Sequence, residues 1–356
     1  MADAAHDIAA ANSGTGEIRV ALDQAALADW LAANVPGFAG PLEVAQFNGG
    51  QSNPTYRLRT PGALYVLRRK PPGPLLKGAH DVLREARVLS ALGPTPVPVP
   101  QVLGTCEDEA VIGSAFYVMA MVHGRIFWDA AFESVPVEGR AACYDAMNQT
   151  IAALHSVDID AVGLGSYGRP GNYFARQIGR WSTQYLDDDL AGRDPDMDAL
   201  VEWLPTAIPD GDETSVVHGD FRCDNLIFHP SEPRILAVLD WELSTLGHPL
   251  ADFAYHAMMY RMPGDIVAGI GGRDPVALGL PTERDYIAAY CQRTGRSGID
   301  DWDFYLAFNF FRLAAIIHGI KGRVMRGTAT NAQARERAKA LPRLSALARA
   351  AMEACR

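Results

Sequence analysis

In the first third of the chain, short runs of alternating apolar and polar residues predict half-buried strands. Turn-forming residues such as Thr60-Pro61-Gly62 separate these runs, and two stretches with helical spacing interrupt them. The predicted strands are Leu42–Phe47, Thr55–Arg59, Ala63–Arg69, Val102–Gly104 and Phe116–Val122, and the predicted helices are Asp23–Ala33 and Asp81–Leu92.

The pattern changes to helical spacing after Met121–Arg125 and is broken only by a strand, loop and hairpin at Thr214–Leu246. The helices predicted there are Val137–His155, Glu283–Arg293, Trp302–Val324 and Asn331–Cys355. The chain is therefore predicted to have a flexible N-terminal arm over residues 1–20, a β-rich lobe over 21–121 and a helical lobe over 122–356.

Composition supports two lobes, because 356 residues that are 48% hydrophobic can bury a large core. A net charge of −10 argues against nucleic acid as a partner. The longest apolar run, Phe304–Ile317, is too short for a bilayer and contains Asn309 and Arg312, so no membrane partner is expected. Five widely spaced cysteines without a CxxC pair, and a start without a basic signal region, predict a cytoplasmic protein with reduced thiols.

The candidate chemistry lies in Thr214–Leu246. Asp220 and Asn225 occupy a polar loop between two apolar runs, and the Pro230–Pro233 turn lets the next strand return and bring Asp240 beside them. Carboxylate and amide oxygens suit Mg²⁺, which leaves further positions for substrate phosphates. Any one of these residues alone could be a simple turn residue, but the three together indicate phosphoryl transfer.

The sequence resembles the catalytic and metal loops of the protein-kinase-like fold. It contains His-x-Asp, then four residues and Asn, and then a strand that ends in Asp. HGDFRCDN followed by Asp-Trp-Glu is similar to the aminoglycoside phosphotransferase and choline kinase branch. GGQSNPTY, YVLRRKPP and LDWELSTLGHPLADFAYH occur in that family's order, and they look nearest to the kinase-like domain fused to acyl-CoA dehydrogenases. The resemblance implies an α+β, bilobal fold with a small antiparallel N-lobe sheet, one key helix and a larger helical C-lobe.

The resemblance also implies residue roles. Asp220 would accept or orient the substrate hydroxyl, and Asn225 and Asp240 would hold Mg²⁺. His218 and Asp252 would support the catalytic loop. The residues implied at the nucleotide are Gly49, Gly50, Ser52 and Asn53 in the first turn, Arg68 where protein kinases carry lysine, its partner Glu85, and the backbone of Ala120 and Val122.

Several of these residues also have an ordinary structural interpretation. The glycine turn could be a plain hairpin turn, Glu85 a solvated helix residue and Asp252 a helix N-cap. Arg69 and Lys70 could lie on a solvated edge, and Glu242 could contact either metal or solvent. His155, at a helix end, is given no role.

These residues predict a kinase that uses ATP and Mg²⁺ to phosphorylate a hydroxyl group of a small molecule. The resemblance suggests a hydroxyacyl-CoA or hydroxy acid as acceptor. An aminoglycoside phosphotransferase and a regulatory, nucleotide-binding pseudokinase are the alternatives. Between Lys321 and Arg356 basic residues outnumber Glu336 and Glu353, which predicts either a solvated helix face or a site for an anionic acceptor.

Overall fold

The alternating runs of the first third of the chain form a six-stranded antiparallel sheet in the order β1-β2-β3-β4-β6-β5. The computed structural model describes residues 14–48, 53–71, 81–329 and 334–355. The strands are β1 (Thr15–Gly16), β2 (Glu43–Phe47), β3 (Thr55–Arg59), β4 (Leu64–Arg69), β5 (Val102–Cys106) and β6 (Phe116–Ala120).

Two helices accompany this sheet, α1 (Gln24–Asn34) and α2 (Val82–Leu92). An aspartate caps the N-terminus of each: Asp23 accepts hydrogen bonds from two backbone amides of α1, and Asp81 accepts one from α2. Leu27 and Leu31 of α1 pack with inward-facing residues of the sheet. The buried residues of this core from the strands are Tyr56, Leu58, Tyr65, Leu67, Cys106, Phe116 and Val118.

The chain divides into two compact units. The sheet unit contains the described residues up to Phe127, together with Ile159–Gly165 and Arg222–Ser244. The helical unit contains Trp128–Asp158, Ser166–Phe221 and the described residues after Ser244.

This division differs from the predicted lobes, which assigned all of residues 122–356 to the helical part. Residues 222–244 form the hairpin of β8 (Leu226–Phe228) and β9 (Ile235–Val238). The hairpin joins the sheet unit because Val238 N–H donates to Pro98 O at 2.9 Å and Arg84 of α2 donates to Ser244 O at 3.1 Å. The assignment of residues 222–244 differs from the prediction because these two hydrogen bonds join segments that are distant in the chain, and a local sequence pattern does not show such bonds.

Two predictions within the sheet unit need correction. Residues 15–16 of the predicted flexible arm form an edge strand, because β1 pairs with β2 and Asn48 N–H donates to Gly14 O at 3.0 Å. Arg69 does not lie on a solvated edge, because β4 is flanked by β3 and β6 and Arg69 is 2% exposed. Its Nε donates to Ser114 Oγ at 2.9 Å, which satisfies part of the buried guanidinium.

The helical unit is built on a long buried helix. Its helices are α3 (Val137–His155), α4 (Tyr173–Leu186), α5 (Pro195–Trp203), α6 (Pro249–Ala257), α7 (Glu283–Thr294), α8 (Trp302–Met325), α9 (Ala334–Ala338) and α10 (Leu341–Ala354). A two-stranded ladder of β7 (Ser215–Val217) and β10 (Thr245–Gly247) completes it. Aromatic stacking contributes to the core, as between Phe253 of α6 and Tyr290 of α7, whose ring centroids are 3.8 Å apart.

The single helix predicted over Asn331–Cys355 is two helices in the structure. The second, α10, begins at Leu341 with Pro342 in its first turn, where a proline is tolerated because its missing N–H has no helical partner. None of the helices in the described part of the chain combines the length and apolar character needed to cross a membrane.

The buried side chain of His256 gives the helical unit a pH-dependent stability. His256 Nδ1 lies 3.2 Å from Phe221 O and Nε2 lies 2.6 Å from Tyr286 Oη. Burial lowers the pKa of His256 to about 4, below its ordinary value of about 6.5. Because the folded state binds this proton more weakly, the stability is present above about pH 6.5 and is lost as the pH falls toward 4.

We expect the free energy of unfolding to fall by roughly 1 kcal/mol more in the wild type than in His256→Gln when the pH is lowered from 7.5 to 5.5. Urea titrations at both pH values, followed by tryptophan fluorescence, measure this difference. His248, whose pKa is also lowered to about 4 by burial, is present in both proteins and cancels. Equal pH dependence in the two proteins would show that His256 does not carry the effect.

Candidate active site

In the sheet unit, Arg68 lies among three carboxylates. Its Nε is 3.1 Å from Glu85 Oε2, and its Nη2 is 2.7 Å from Asp240 Oδ1 and 3.7 Å from Glu242 Oε2. The arrangement arises because Arg68 belongs to β4, Glu85 to α2 and Asp240 to the residues after β9. The pairing of Arg68 with Glu85 that the sequence predicts is therefore present.

Glu85 has two hydrogen-bond partners in addition to its ion pair with Arg68. Its Oε1 accepts a hydrogen bond from Asn53 Nδ2 at 2.8 Å, and its Oε2 accepts one from Tyr117 Oη at 3.3 Å. The predicted nucleotide residue Asn53 is fully buried, so its side chain holds the helix carboxylate in place, a contact that the sequence did not predict. Tyr117 was missed, although it pairs with Arg68 in the β4–β6 register, and cross-strand alternation could have indicated it.

Charge and burial act in opposite directions on this pair. Burial alone would lower the pKa of Arg68, but attraction to Glu85 and Asp240 raises it above its ordinary value. Burial raises the pKa of Glu85, while Arg68 and the Tyr117 hydroxyl lower it. The guanidinium therefore stays charged and is anchored beside Asp240.

The β8–β9 hairpin brings the two predicted metal ligands together at one end. Asn225 directly precedes β8, Asp240 directly follows Leu239 after β9, and Leu239 N–H donates to Asn225 O at 2.8 Å. Asp240 has a left-handed backbone conformation, with φ of 64°, which is uncommon for a residue other than glycine.

One amide oxygen and one carboxylate are a donor set that fits Mg²⁺, since this ion takes few protein ligands and completes its shell with water and phosphate. Within the described residues, no three His, Cys, Asp or Glu side chains are grouped so as to hold a metal. Asn225 and Asp240 stay the predicted ligands of the ion, and Glu242 stays an open alternative near Arg68.

The remaining predicted nucleotide residues fall into two groups. Gly49, Gly50 and Ser52 lie outside the described residues. At the end of β6, Ala120 N–H is already used in a hydrogen bond to Gln101 O at 2.9 Å. The next residues lead out of the sheet, and Val122 has no backbone hydrogen bond to any other described residue, which leaves its N–H and C=O available to a ligand.

In the helical unit, the loop of His218, Gly219 and Asp220 is held by a buried carboxylate. Asp252, in the first turn of α6, accepts hydrogen bonds from His218 N–H at 2.7 Å and Gly219 N–H at 2.8 Å. These are the contacts expected if Asp252 supports the loop. A helix N-cap was the alternative interpretation of this residue. Burial alone would raise the pKa of Asp252, but hydrogen bonding and charge at His155 and His218 lower it, so the carboxylate stays ionised.

His155, to which the sequence gave no role, binds the same carboxylate. Its Nε2 lies 3.2 Å from Asp252 Oδ2 and its Nδ1 lies 2.7 Å from Tyr290 Oη. With a neutral ring, Nε2–H donates to Asp252 and Nδ1 accepts from Tyr290, which fixes the tautomer. Residues 155 and 252 are far apart in the chain, so no local motif could have indicated this contact.

Two further contacts bind Asp220 itself, and a third binds the preceding residue, Gly219. Tyr255 Oη donates to Asp220 Oδ1 at 2.5 Å, His218 Nδ1 accepts from Asp220 N–H at 3.2 Å, and Arg312 Nη2 donates to Gly219 O at 2.9 Å. Gly219 has φ of +83°, a conformation that disfavours a side chain and lets the loop turn at this point.

Tyr255 and Arg312 are site residues that sequence reasoning missed. Tyr255 lies three residues after Asp252 on α6, a spacing that puts both on one helix face. Arg312 is a charge within the apolar run Phe304–Ile317 of α8, which is a signal because charged residues are rarely buried without a partner.

The basic residues near the C-terminus are mostly exposed, and four of the eight described ones pair with carboxylates of the helical unit. Arg326 binds Asp188 through two hydrogen bonds of 2.7 and 2.8 Å, and Arg343 binds Asp265. Lys339 and Arg349 pair with Glu336 and Glu353. These contacts match the solvated helix face, the simpler of the two predicted interpretations, and give no support for an anion site in this segment.

Comparison with known proteins identifies the class to which this fold and site belong. The model of the phosphotransferase enzyme family, APH, matches residues 43–308. The chain therefore belongs to this family of phosphotransferases, with its α+β, protein-kinase-like fold, as the sequence predicted.

Several known proteins are similar to this chain over most of its length. A crystal structure from Ralstonia eutropha, named for the aminoglycoside phosphotransferases, is 51% identical with a TM-score of 0.87, over 94% of this chain and 99% of that chain. Acyl-CoA dehydrogenase family member 10 of Mus musculus is 45% identical over 87% of this chain, and family member 11 of Gallus gallus is 45% identical over 93%. The matched regions are only 29% and 44% of those two relatives.

More distant structures share the fold alone. The spectinomycin phosphotransferase crystallised with ADP and spectinomycin is 14% identical, with a TM-score of 0.62 over 94% of this chain and 100% of that chain.

The contacts of Glu85 predict a large loss when its carboxylate is removed. In Glu85→Ala, Arg68 would lose one of its ion-pair partners, and Asn53 Nδ2 and Tyr117 Oη would lose their acceptor inside the sheet unit. We expect a loss of about 3 kcal/mol in the free energy of unfolding, because one buried ion pair is broken and two buried donors are left unsatisfied. Urea unfolding measures it, and a fluorescent nucleotide titration is expected to show weaker binding.

Glu85→Gln is the matched control, since the amide oxygen can still accept a hydrogen bond and the side-chain volume is kept. It should lose less stability than Glu85→Ala. If Glu85→Ala unfolds at the same urea concentration as the wild type, the carboxylate does not anchor Arg68.

Proposed function

We propose that this phosphotransferase is a kinase that uses ATP and Mg²⁺ to phosphorylate a hydroxyl group of a small molecule. The observation that supports it most is how Asp220 is held. Its N–H donates to His218 Nδ1, its carboxylate accepts from Tyr255 Oη, and Asp252 binds the N–H of the preceding residue, Gly219. A residue that must take a proton from an incoming hydroxyl has to be placed before the substrate arrives, and these contacts do so.

Asp220 acts on the acceptor. In this proposal its carboxylate receives the proton of the substrate hydroxyl as that oxygen attacks the γ-phosphorus. The bond between the γ-phosphorus and the bridging oxygen breaks, and ADP leaves with that oxygen and its electron pair. The Tyr255 hydroxyl fixes the carboxylate direction, and His218 fixes the loop backbone.

The sheet unit would serve the nucleotide. Arg68, anchored by Glu85, would contact phosphate oxygens with its planar fork of donors. Asn225 and Asp240 would hold Mg²⁺, which when bound neutralises phosphate charge. The Val122 backbone would bind adenine, and the glycine turn at Gly49, Gly50 and Ser52 would cover the phosphates.

For the acceptor we propose a hydroxyacyl-CoA or a hydroxy acid. The support is that the relatives with 45% identity are named acyl-CoA dehydrogenase family members and are more than twice as long as the matched region. A fused partner named for acyl-CoA chemistry suggests that the kinase-like part acts on a related thioester. The predicted cytoplasmic location belongs to the same proposal.

An aminoglycoside acceptor is the second candidate. The name of the 51% identical structure from Ralstonia eutropha favours it. A pseudokinase is disfavoured because Asp220, Asn225 and Asp240 are all retained in the chain.

The test measures ADP formation with Mg²⁺ and ATP against hydroxyacyl-CoAs, hydroxy acids, sugars and aminoglycosides. We expect a hydroxyacyl-CoA or hydroxy acid to stimulate turnover, and Asp220→Asn to lower kcat by about 10²–10⁴-fold while nucleotide affinity is retained. Asp210→Asn removes an exposed carboxylate of the same unit and is the control. Turnover that is unchanged in Asp220→Asn, or absent with every acceptor, would contradict the kinase assignment.

A further inference from the structure

Arg312 is a cation placed next to the catalytic acid and not used by the chemistry described so far. Its Nη2 donates to Gly219 O at 2.9 Å, one residue before Asp220. Its guanidinium carbon lies 5.2 Å from the ring centroid of Tyr255, and the hydroxyl of that ring binds Asp220 Oδ1 at 2.5 Å. Arg312 therefore contacts both the loop and the tyrosine that position the acid.

The charge of Arg312 is not neutralised by an ion pair in the described part of the chain, where it contacts a backbone carbonyl and an aromatic ring. Other arginines of the helical unit behave differently. Arg326, Arg343 and Arg296 each bind a carboxylate, at Asp188, Asp265 and Glu213. A partly exposed, uncompensated cation beside the acid imposes a charge preference on whatever approaches that acid.

We propose that Arg312 determines acceptor specificity. It favours acceptors that carry a carboxylate or a thioester carbonyl near the reacting hydroxyl, and it disfavours acceptors that carry ammonium groups there. The guanidinium N–H groups can donate to carboxylate or carbonyl oxygens, whereas its positive charge repels ammonium groups. This inference rests on the proposed function, because it requires the acceptor hydroxyl to reach Asp220.

The single hydrogen bond to Gly219 O could also serve only to hold the loop, so the experiment must separate specificity from support. The variants are Arg312→Gln, Arg312→Lys and the control Arg326→Gln, which removes an exposed cation at the end of the same helix. For each, kcat and KM are measured with hydroxyacyl-CoAs, hydroxy acids, a neutral sugar alcohol and kanamycin. Thermal unfolding with ADP present verifies folding.

We expect Arg312→Gln to raise KM for the hydroxyacyl-CoA or hydroxy acid by about 10–100-fold, with kcat changed less, because a charged contact to the acceptor is lost. The neutral acceptor should change by less than about threefold, and turnover of kanamycin should increase. Arg312→Lys should recover part of the KM, because it restores the charge without the planar fork. Arg326→Gln should behave like the wild type.

An equal loss with every acceptor, neutral ones included, would overturn the inference and leave Arg312 a support of the loop. So would an unchanged KM for the hydroxyacyl-CoA. If the wild type uses only sugars or aminoglycosides, the proposed acceptor class fails, and turnover of kanamycin alone tests the role of Arg312. Higher kanamycin turnover in Arg312→Gln then supports the inference that Arg312 disfavours cationic acceptors, and unchanged turnover overturns that inference.

Discussion

The helical unit depends on the buried carboxylate of Asp252. Removing a carboxylate from water is costly unless donors satisfy its oxygens, and Asp252 is 3% exposed. The donors are two consecutive backbone amides of the loop that contains Asp220, those of His218 and Gly219, and the His155 ring. Because burial forces these bonds to be made, the loop has little freedom to adopt another conformation, and Asp220 is placed by the same constraint.

The sheet unit follows a similar logic around Glu85. Its carboxylate is 2% exposed and binds a cation, an amide and a phenol. The result is a guanidinium held beside Asp240, at the end of the hairpin that also carries Asn225. In each unit a functional group on a loop or strand is oriented by an acid on a helix, so rigid secondary structure supports residues that must be pre-positioned.

The sequence predicted the parts of the molecule that follow local rules or a recognisable motif. Alternation identified five of the six strands of the sheet, and the HGDxxxxN spacing with the following Asp240 indicated phosphoryl transfer. The Glu85–Arg68 contact came from the resemblance. The physical basis for these successes is that strand period and turn chemistry are encoded within a few residues.

The remainder depended on contacts between residues distant in the chain. His155 and Asp252, or Arg312 and Gly219, meet through packing of separate helices, which the pattern of one segment does not encode. Arg69 looked like an edge residue because its two basic neighbours, Arg68 and Lys70, suggest solvent, yet the strand is internal. The basic C-terminal residues suggested an anion site, but two of them pair with carboxylates that are distant in the chain, Asp188 and Asp265.

Amide hydrogen exchange measures directly how firmly the Asp252 carboxylate holds the loop of His218, Gly219 and Asp220. Asp252→Asn replaces one acceptor oxygen with an amide group that donates, so one of the two loop N–H groups loses its partner. We expect a peptide covering residues 216–221 to exchange slowly in the wild type and at least about tenfold faster in the variant, while peptides from the sheet unit are unchanged. Equal exchange of the loop peptide in the two proteins would contradict this expectation.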